Sequence, residues 1–177
     1  MNDKYLINLL YEYENYTFSH NSNKRTASQV NFDNDQIEII QTRRNTAEEQ
    51  RIAAKLPALG LSENQSLLFE LQDQKDGYAI LDWVKKNRTI LNAEGFAIHP
   101  PKHLDKIISL ETHTIEISNS QKSDWFDIKG MVTIGNQQIP FTKFIKYIRN
   151  HDRHFPVDDH TVFIIPEEWL NRYKKLA

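Results

Sequence analysis

Residues 124–150, DWFDIKGMVTIGNQQIPFTKFIKYIRN, and residues 154–176, HFPVDDHTVFIIPEEWLNRYKKL, spell out strand, tight turn, helix, strand and helix in succession. Phe126, Ile128, Val132 and Ile134 alternate with polar neighbours, the period of a half-buried strand. Gly135-Asn136 fits a tight turn that requires positive φ. Phe141, Phe144, Ile145 and Ile148 then recur at the helical period and define a buried face. Asp158-Asp159 closes a second turn between Phe155 and the apolar run VFII (162–165). Pro166 suits the first position of a final helix, where its missing amide hydrogen costs nothing. Glu167 and Glu168 favour the positive end of that helix dipole, and Lys174 and Lys175 the negative end. Trp169, Leu170, Tyr173 and Leu176 give the helix a core face.

Working backwards, His113, Ile115 and Ile117 alternate with polar residues and read as another strand. Pro100-Pro101 interrupts regular structure ahead of it. A helix is predicted from about Gly77 to Asn92, with Ile80, Trp83, Val84, Asn87 and Leu91 on one face. LLFEL (67–71) is short and apolar, more strand than helix. Thr46 and Glu49 fit a capping box, the hydroxyl accepting from a helix amide while the carboxylate reaches back to the cap. Ile52, Leu56 and Leu59 supply that helix with a core stripe; Pro57 ends or kinks it, and Gly60 is a stop signal. Nearer the N-terminus, Tyr5, Ile7, Leu9, Tyr11 and Tyr13 share one face of a strand, with Asn8 and Glu12 opposite. The polar segment HNSNKRTAS (20–28) reads as an exposed loop, and Ile37, Ile39 and Ile40 as a second strand. No internal repeat is visible. The element order predicts an α+β fold: small mixed or antiparallel sheets packed with about four helices, in two subdomains over residues 1–105 and 106–177.

Bulk composition narrows the function. The chain has 177 residues, 39% hydrophobic and 26% charged, which fits a folded protein and not a disordered one. A net charge of -2 excludes a uniformly basic nucleic-acid binder, so any DNA contact must be a local patch. The absence of cysteine excludes disulfides and thiolate zinc sites. MNDKYLINLLYEYEN (1–15) is too polar for a signal peptide, and no apolar run reaches membrane-spanning length. The expectation is a cytoplasmic, membrane-free monomer.

Four clusters then carry a resemblance. Trp125-Phe126-Asp127, Ile139-Pro140-Phe141, Phe155-Pro156-Val157 and Ile165-Pro166-Glu167-Glu168-Trp169 with Tyr173 are similar to the region ahead of the motor in bacterial helicase-like ATPases of the Swi/Snf (sucrose-non-fermenting) family. The likeness is strongest over the last third of the chain, and the Glu48-Glu49 helix ending near Leu59-Gly60-Leu61 extends it more loosely. It implies an accessory region whose partners are the RecA-like motor lobes of the same polypeptide, which hydrolyse ATP and translocate on duplex DNA. ATP and magnesium are expected only in that motor, and no cofactor in this chain. The sequence has no Gly-Lys dipeptide for a phosphate-binding loop and no Asp-Glu pair to hold magnesium. Ending just after the Trp169 helix, it is expected to be a piece of a longer protein or a relative without the motor. It departs from the family in lacking an upstream cysteine/histidine zinc module and a glycine in the turn at Val157-Asp158-Asp159-His160.

Several residues invite a chemical reading, each beside a plainer one. Lys143, Lys146, Arg149 and Arg153 recur along one side of the predicted helix, where they would neutralise phosphates without reading bases. The plainer reading is a solvated helix face. Lys24, Arg25, Arg43 and Arg44 form a weaker basic cluster, read as solvated loop and strand end. Trp125 lies opposite Phe126 on its strand and is the aromatic expected at an interface, whereas Trp83 and Trp169 belong to core stripes. His151, His154 and His160, with Asp152, Asp158 and Asp159, resemble metal ligands only if the helix extends to bring His151 and His154 to one side; solvated helix-end histidines are the simpler account. Asp127-Ile128-Lys129 is half of a metal-nuclease constellation, needing Glu116 or Glu111 beside it, and is otherwise a cross-strand charge pair. No serine elbow supports acyl transfer. The leading expectation is a non-catalytic accessory region that helps position DNA or a partner protein for the motor, with no catalytic residue and no bound metal. Its rivals are a protein-interaction module without DNA contact and a small metal-dependent nuclease.

Overall fold

The structure, a computed structural model, describes residues 4–33, 36–72, 75–118 and 129–173. It has the α+β fold expected. Contacts divide the chain into two units, Met1–Ile80 and Leu81–Ala177. This division lies ahead of the boundary expected after residue 105. The reason lies in the helix just beyond it: its Arg88 pairs with Glu111 at 3.4 Å, and its Lys85 ammonium sits 5.8 Å from the Phe163 ring centre.

In the first unit the N-terminal alternation is realised. Tyr5, Ile7, Leu9, Tyr11 and Tyr13 are buried or half-buried, while Leu6, Asn8, Leu10 and Glu12 are exposed. Strand β1 (Leu10–Tyr13) pairs antiparallel with β2 (Tyr16–Ser19), and Phe18 is buried beneath them. Polarity misleads in the segment read as a loop over 20–28. Strand β3 (Thr26–Asp33) starts inside it and pairs with β4 (Gln36–Arg43) over eight residue pairs, because ladder hydrogen bonds do not depend on side-chain polarity. Helix α1 (Thr46–Ala53) is capped one residue earlier than the sequence predicts, since the Asn45 carboxamide oxygen accepts from the Glu48 amide at 3.2 Å. A short helical turn, α2 (Lys55–Ala58), contains Pro57 and stops at Gly60, whose φ of 92° is the left-handed stop glycine provides. Strands β5 (Leu61–Glu63) and β6 (Phe69–Leu71) form a hairpin, and Ile7 bridges to Phe69.

The second unit holds nearly all of helix α3 (Ala79–Ala93), which buries Leu81, Trp83, Val84 and Leu91. Strands β7 (Lys102–His103) and β8 (Lys106–Ile108) join β12 (His154–Pro156) and β13 (Thr161–Ile164) in a four-stranded sheet of order β12-β13-β8-β7, with β13 and β8 parallel. Strands β9 (His113–Ser118), β10 (Lys129–Ile134) and β11 (Gln137–Pro140) form a three-stranded antiparallel sheet centred on β10. Gly135 turns β10 into β11 with φ of 55°, as expected. Helices α4 (Thr142–Arg149) and α5 (Glu167–Tyr173) complete the unit.

One apolar cluster holds this second unit together. It contains Val132, Ile134, Ile139, Phe141, Phe144, Ile148, Phe155, Phe163, Ile165, Trp169 and Tyr173, nearly all predicted core positions. Phe144 stacks on Phe155 at 3.9 Å, and Trp169 meets Phe144 edge-on at 5.8 Å. Such geometries add roughly 0.5–1.5 kcal/mol per pair to the burial of the rings. The Ile-Pro-Phe and Ile-Pro-Glu-Glu-Trp clusters therefore act here as core cement: Phe141, Ile165 and Trp169 are inside, and Glu167 and Glu168 outside.

Candidate functional site

Helix α4 is amphipathic, with Phe144 and Ile148 buried on one side. Lys143, Lys146 and Arg149 are exposed on the other, at the three-residue spacing that keeps side chains on neighbouring parts of a helix surface. Among the described residues, Lys143 and Lys146 form no ion pair. Arg153 does not join this row. It lies beyond the helix, half-buried, and its Nε donates to the Ile165 carbonyl at 2.7 Å while its own carbonyl accepts from the Ile165 amide at 2.8 Å. Its guanidinium anchors the start of β12 to the entry of α5.

The C-terminus of α4 explains why the histidines do not converge. His151 adopts φ of 53°, its amide donates to the Ile148 carbonyl at 3.2 Å, and the Asp152 amide donates to the Tyr147 carbonyl at 3.0 Å. This pair of bonds is a Schellman stop. The helix thus ends before His154, which stacks instead on His103, with ring centres 3.8 Å apart. Burial, then the neighbouring His103, pushes the His154 imidazole below its ordinary value. The glycine-free turn is closed by Asp158, whose Oδ1 accepts from the His160 amide at 2.8 Å. That bond also lowers the Asp158 carboxyl. Among the described residues, no group of histidine, aspartate and glutamate side chains is arranged to hold a metal ion.

Trp125 and Asp127 lie outside the described residues, so the interface tryptophan and the nuclease dyad find no geometry here. Glu116 is exposed on β9, and Glu111 pairs with Arg88. Trp83 and Trp169 are core residues, as their stripes implied.

A polar cluster that the sequence did not reveal lies in the first unit. Arg44 and Glu49 form an ion pair at 2.7 Å, each side chain only 7% exposed. Arg44 Nε also reaches both carboxylate oxygens, at 3.0 and 2.9 Å, and the Tyr13 hydroxyl donates to Glu49 Oε1 at 2.7 Å. Arg44 further donates to the Ser22 and Lys24 carbonyls. The residue read as half of a capping box is thus the carboxylate of a buried, saturated pair, and Arg44 leaves the solvated basic cluster. Asn45 captures the cap because its short amide reaches the first-turn amides, which frees Glu49 to turn inward. The clue available in sequence was Arg44, five residues before Glu49 and just ahead of the helix.

Beside this pair runs a hydrogen-bonded chain. Glu63 Oε1 lies 3.0 Å from His20 Nε2, and His20 Nδ1 lies 2.7 Å from the Tyr11 hydroxyl. The Tyr11 hydroxyl can also donate to the Glu49 carbonyl at 3.1 Å. One phenolic proton thus faces two acceptors, His20 Nδ1 and the Glu49 carbonyl. Burial, reinforced by the Glu49 carboxylate, pushes the Tyr11 phenol up to about 12, so at neutral pH it is a donor and not a base. Tyr11, His20, Arg44 and Glu49 line a cleft of about 370 Å³ that Lys24 and Arg25 also border. Its walls are already bonded to one another, which is the character of a structural network more than of a reactive centre.

Compared with protein-family models, curated proteins and solved structures, the chain matches none of them.

Proposed function

We propose that this chain is a non-catalytic accessory region of a Swi/Snf-type DNA-dependent ATPase, with α4 as its contact to duplex DNA. The single observation that carries the reading is the exposed row of Lys143, Lys146 and Arg149 on a helix pinned from behind by Phe144 and Ile148. A rigid row of cations neutralises backbone phosphates and carries no base recognition, which suits a part that positions a duplex for a separate motor. The parent motor supplies the ATP chemistry, and the motor lobes are the intramolecular partner.

Anisotropy of a labelled duplex at low salt tests this. The unmodified chain is expected to bind weakly, and the combined Lys143→Glu, Lys146→Glu and Arg149→Glu variant to lose binding. Three phosphate contacts are expected to contribute about 3 to the salt slope of the unmodified chain. Arg153→Glu is the contrasting variant, expected to lower stability. If the unmodified chain does not bind at low salt, the DNA contact is wrong and a protein-contact role takes its place.

A further inference from the structure

The cleft of the first unit gathers more positive charge than its walls neutralise. Lys24, Arg25 and Arg44 all border it, and among the described residues Glu49 is the one carboxylate that lines it. Both Glu49 oxygens are taken by Arg44, whose Nε lies 3.0 and 2.9 Å from them. Among the described residues, Lys24 and Arg25 form no ion pair. Backbone pairing sets Arg25 beside Arg44, whose amide donates to the Arg25 carbonyl at 3.0 Å. Like charges placed opposite one another on paired strands repel. Two uncompensated cations therefore border one concavity, in a chain whose net charge is -2. An anion from outside the chain balances them.

The cleft is also built in advance. Arg44 holds one wall by donating to the Ser22 and Lys24 carbonyls, at 2.6 and 3.2 Å, and the other through Glu49 on α1. That buried pair fixes the walls before any ligand arrives, so binding has little left to order. A volume of about 370 Å³ lies within the range of small-ligand sites. Asn23, Thr46 and Gln50 also line it, offering hydrogen bonds in place of an apolar surface. We infer that the cleft binds a small polar phosphomonoester of sugar-phosphate size, with Lys24 and Arg25 on the phosphate and Asn23, Thr46 and Gln50 on its hydroxyl-bearing part. A phosphomonoester carries about 1.5 to 2 negative charges at neutral pH, which matches two cations, whereas a nucleic-acid backbone phosphate carries one. The Arg25 guanidinium adds a fork suited to two phosphate oxygens. The site binds and breaks no bond. It goes beyond the DNA reading and is independent of it, since that reading rests on α4.

Isothermal titration calorimetry of the full chain at low salt tests it, with ribose 5-phosphate, ribose, inorganic phosphate and dimethyl phosphate as probes. Ribose 5-phosphate is expected to bind and ribose alone not to. Dimethyl phosphate, with its single charge, is expected to bind at least about tenfold more weakly than the monoester. Lys24→Glu with Arg25→Glu, both at exposed positions, is expected to weaken ribose 5-phosphate binding by about tenfold or more with an unchanged circular dichroism spectrum. Thr46→Val with Gln50→Leu is expected to weaken ribose 5-phosphate and leave inorganic phosphate unchanged. Lys143→Glu with Lys146→Glu, on α4, is expected to leave both unchanged. Absence of ribose 5-phosphate binding overturns the proposal, as does equal binding of dimethyl phosphate. So does binding that survives the Lys24 and Arg25 changes or is lost with the α4 pair. A Lys24→Glu, Arg25→Glu variant that loses duplex binding and keeps the phosphomonoester overturns it too.

Discussion

Two antiparallel hairpins in this protein start from similar sequence and meet opposite fates. In β10–β11, Val132, Ile134 and Ile139 are at most 8% exposed. In β3–β4, Val30, Phe32, Ile37 and Ile39 are all at least 47% exposed. Both have apolar residues on one face. The difference lies in the helix that each hairpin leads into. Strand β11 runs straight into α4, which brings Phe144 and Ile148 down onto the same core. Strand β4 runs into α1, which instead turns Glu49 and Ala53 inward. An apolar face is written into a strand locally; its cover has to come from somewhere else.

The largest expected contrast comes from trimming one aromatic ring in each region. Phe144→Ala removes a fully buried ring that touches Phe155, Phe163 and Trp169, and should lower stability by about 3–5 kcal/mol in chemical denaturation. Phe32→Ser in the 78% exposed ribbon position should change the stability of the monomer by less than about 0.5 kcal/mol. A large loss for Phe32→Ser in dilute solution would show that the ribbon face is covered within its own chain.

The buried ion pair of the first unit offers the next test. Glu49→Ala removes the counter-charge of a guanidinium that is only 7% exposed and the carboxylate that Tyr13 donates to, and a loss of about 3 kcal/mol is expected by denaturation. A negligible effect would show that water enters the cleft and solvates Arg44.

A smaller effect should appear with pH in the second unit. His113 lies edge-on to Phe163 and Trp169, at 5.2 and 5.4 Å. Burial, then the Lys85 ammonium, holds its imidazole below the ordinary value. The unfolded chain therefore takes up the proton first, so stability should fall as pH drops below about 6.5 and level off once the folded histidine titrates. His113→Phe should flatten part of that slope and leave the share due to His154, whose imidazole is lowered too. Denaturation midpoints between pH 7 and 5 measure this; an unchanged slope in His113→Phe would reject the assignment.

Read along the chain alone, the protein yields most of its elements and nearly all of its second core. The periods of Tyr5 to Tyr13, of α3 and of α4 each describe one surface, and burial of that surface is what such a period records. The α4 cations Lys143, Lys146 and Arg149 were legible for the same reason, since a residue opposite a core stripe faces water. Arg153 was not, because a Schellman stop at His151 takes it off the helix, and its carbonyl partner, Ile165, is twelve residues away. The Arg44–Glu49 pair was hidden by a competing local use for Glu49 as a cap. The Glu63–His20–Tyr11 chain was hidden more thoroughly, since its members come from two strands and a turn whose meeting depends on how they pack.

Sequence by itself settled the α+β class, the core stripes and the turn at Gly135, because these depend on neighbours within a few residues. Tertiary structure alone decided that Glu49 goes inside, that His154 stacks on His103, and that the β3–β4 ribbon keeps its apolar face open. Those outcomes hinge on which distant surface arrives to cover, pair or leave a side chain, and no local pattern of residues encodes that arrival.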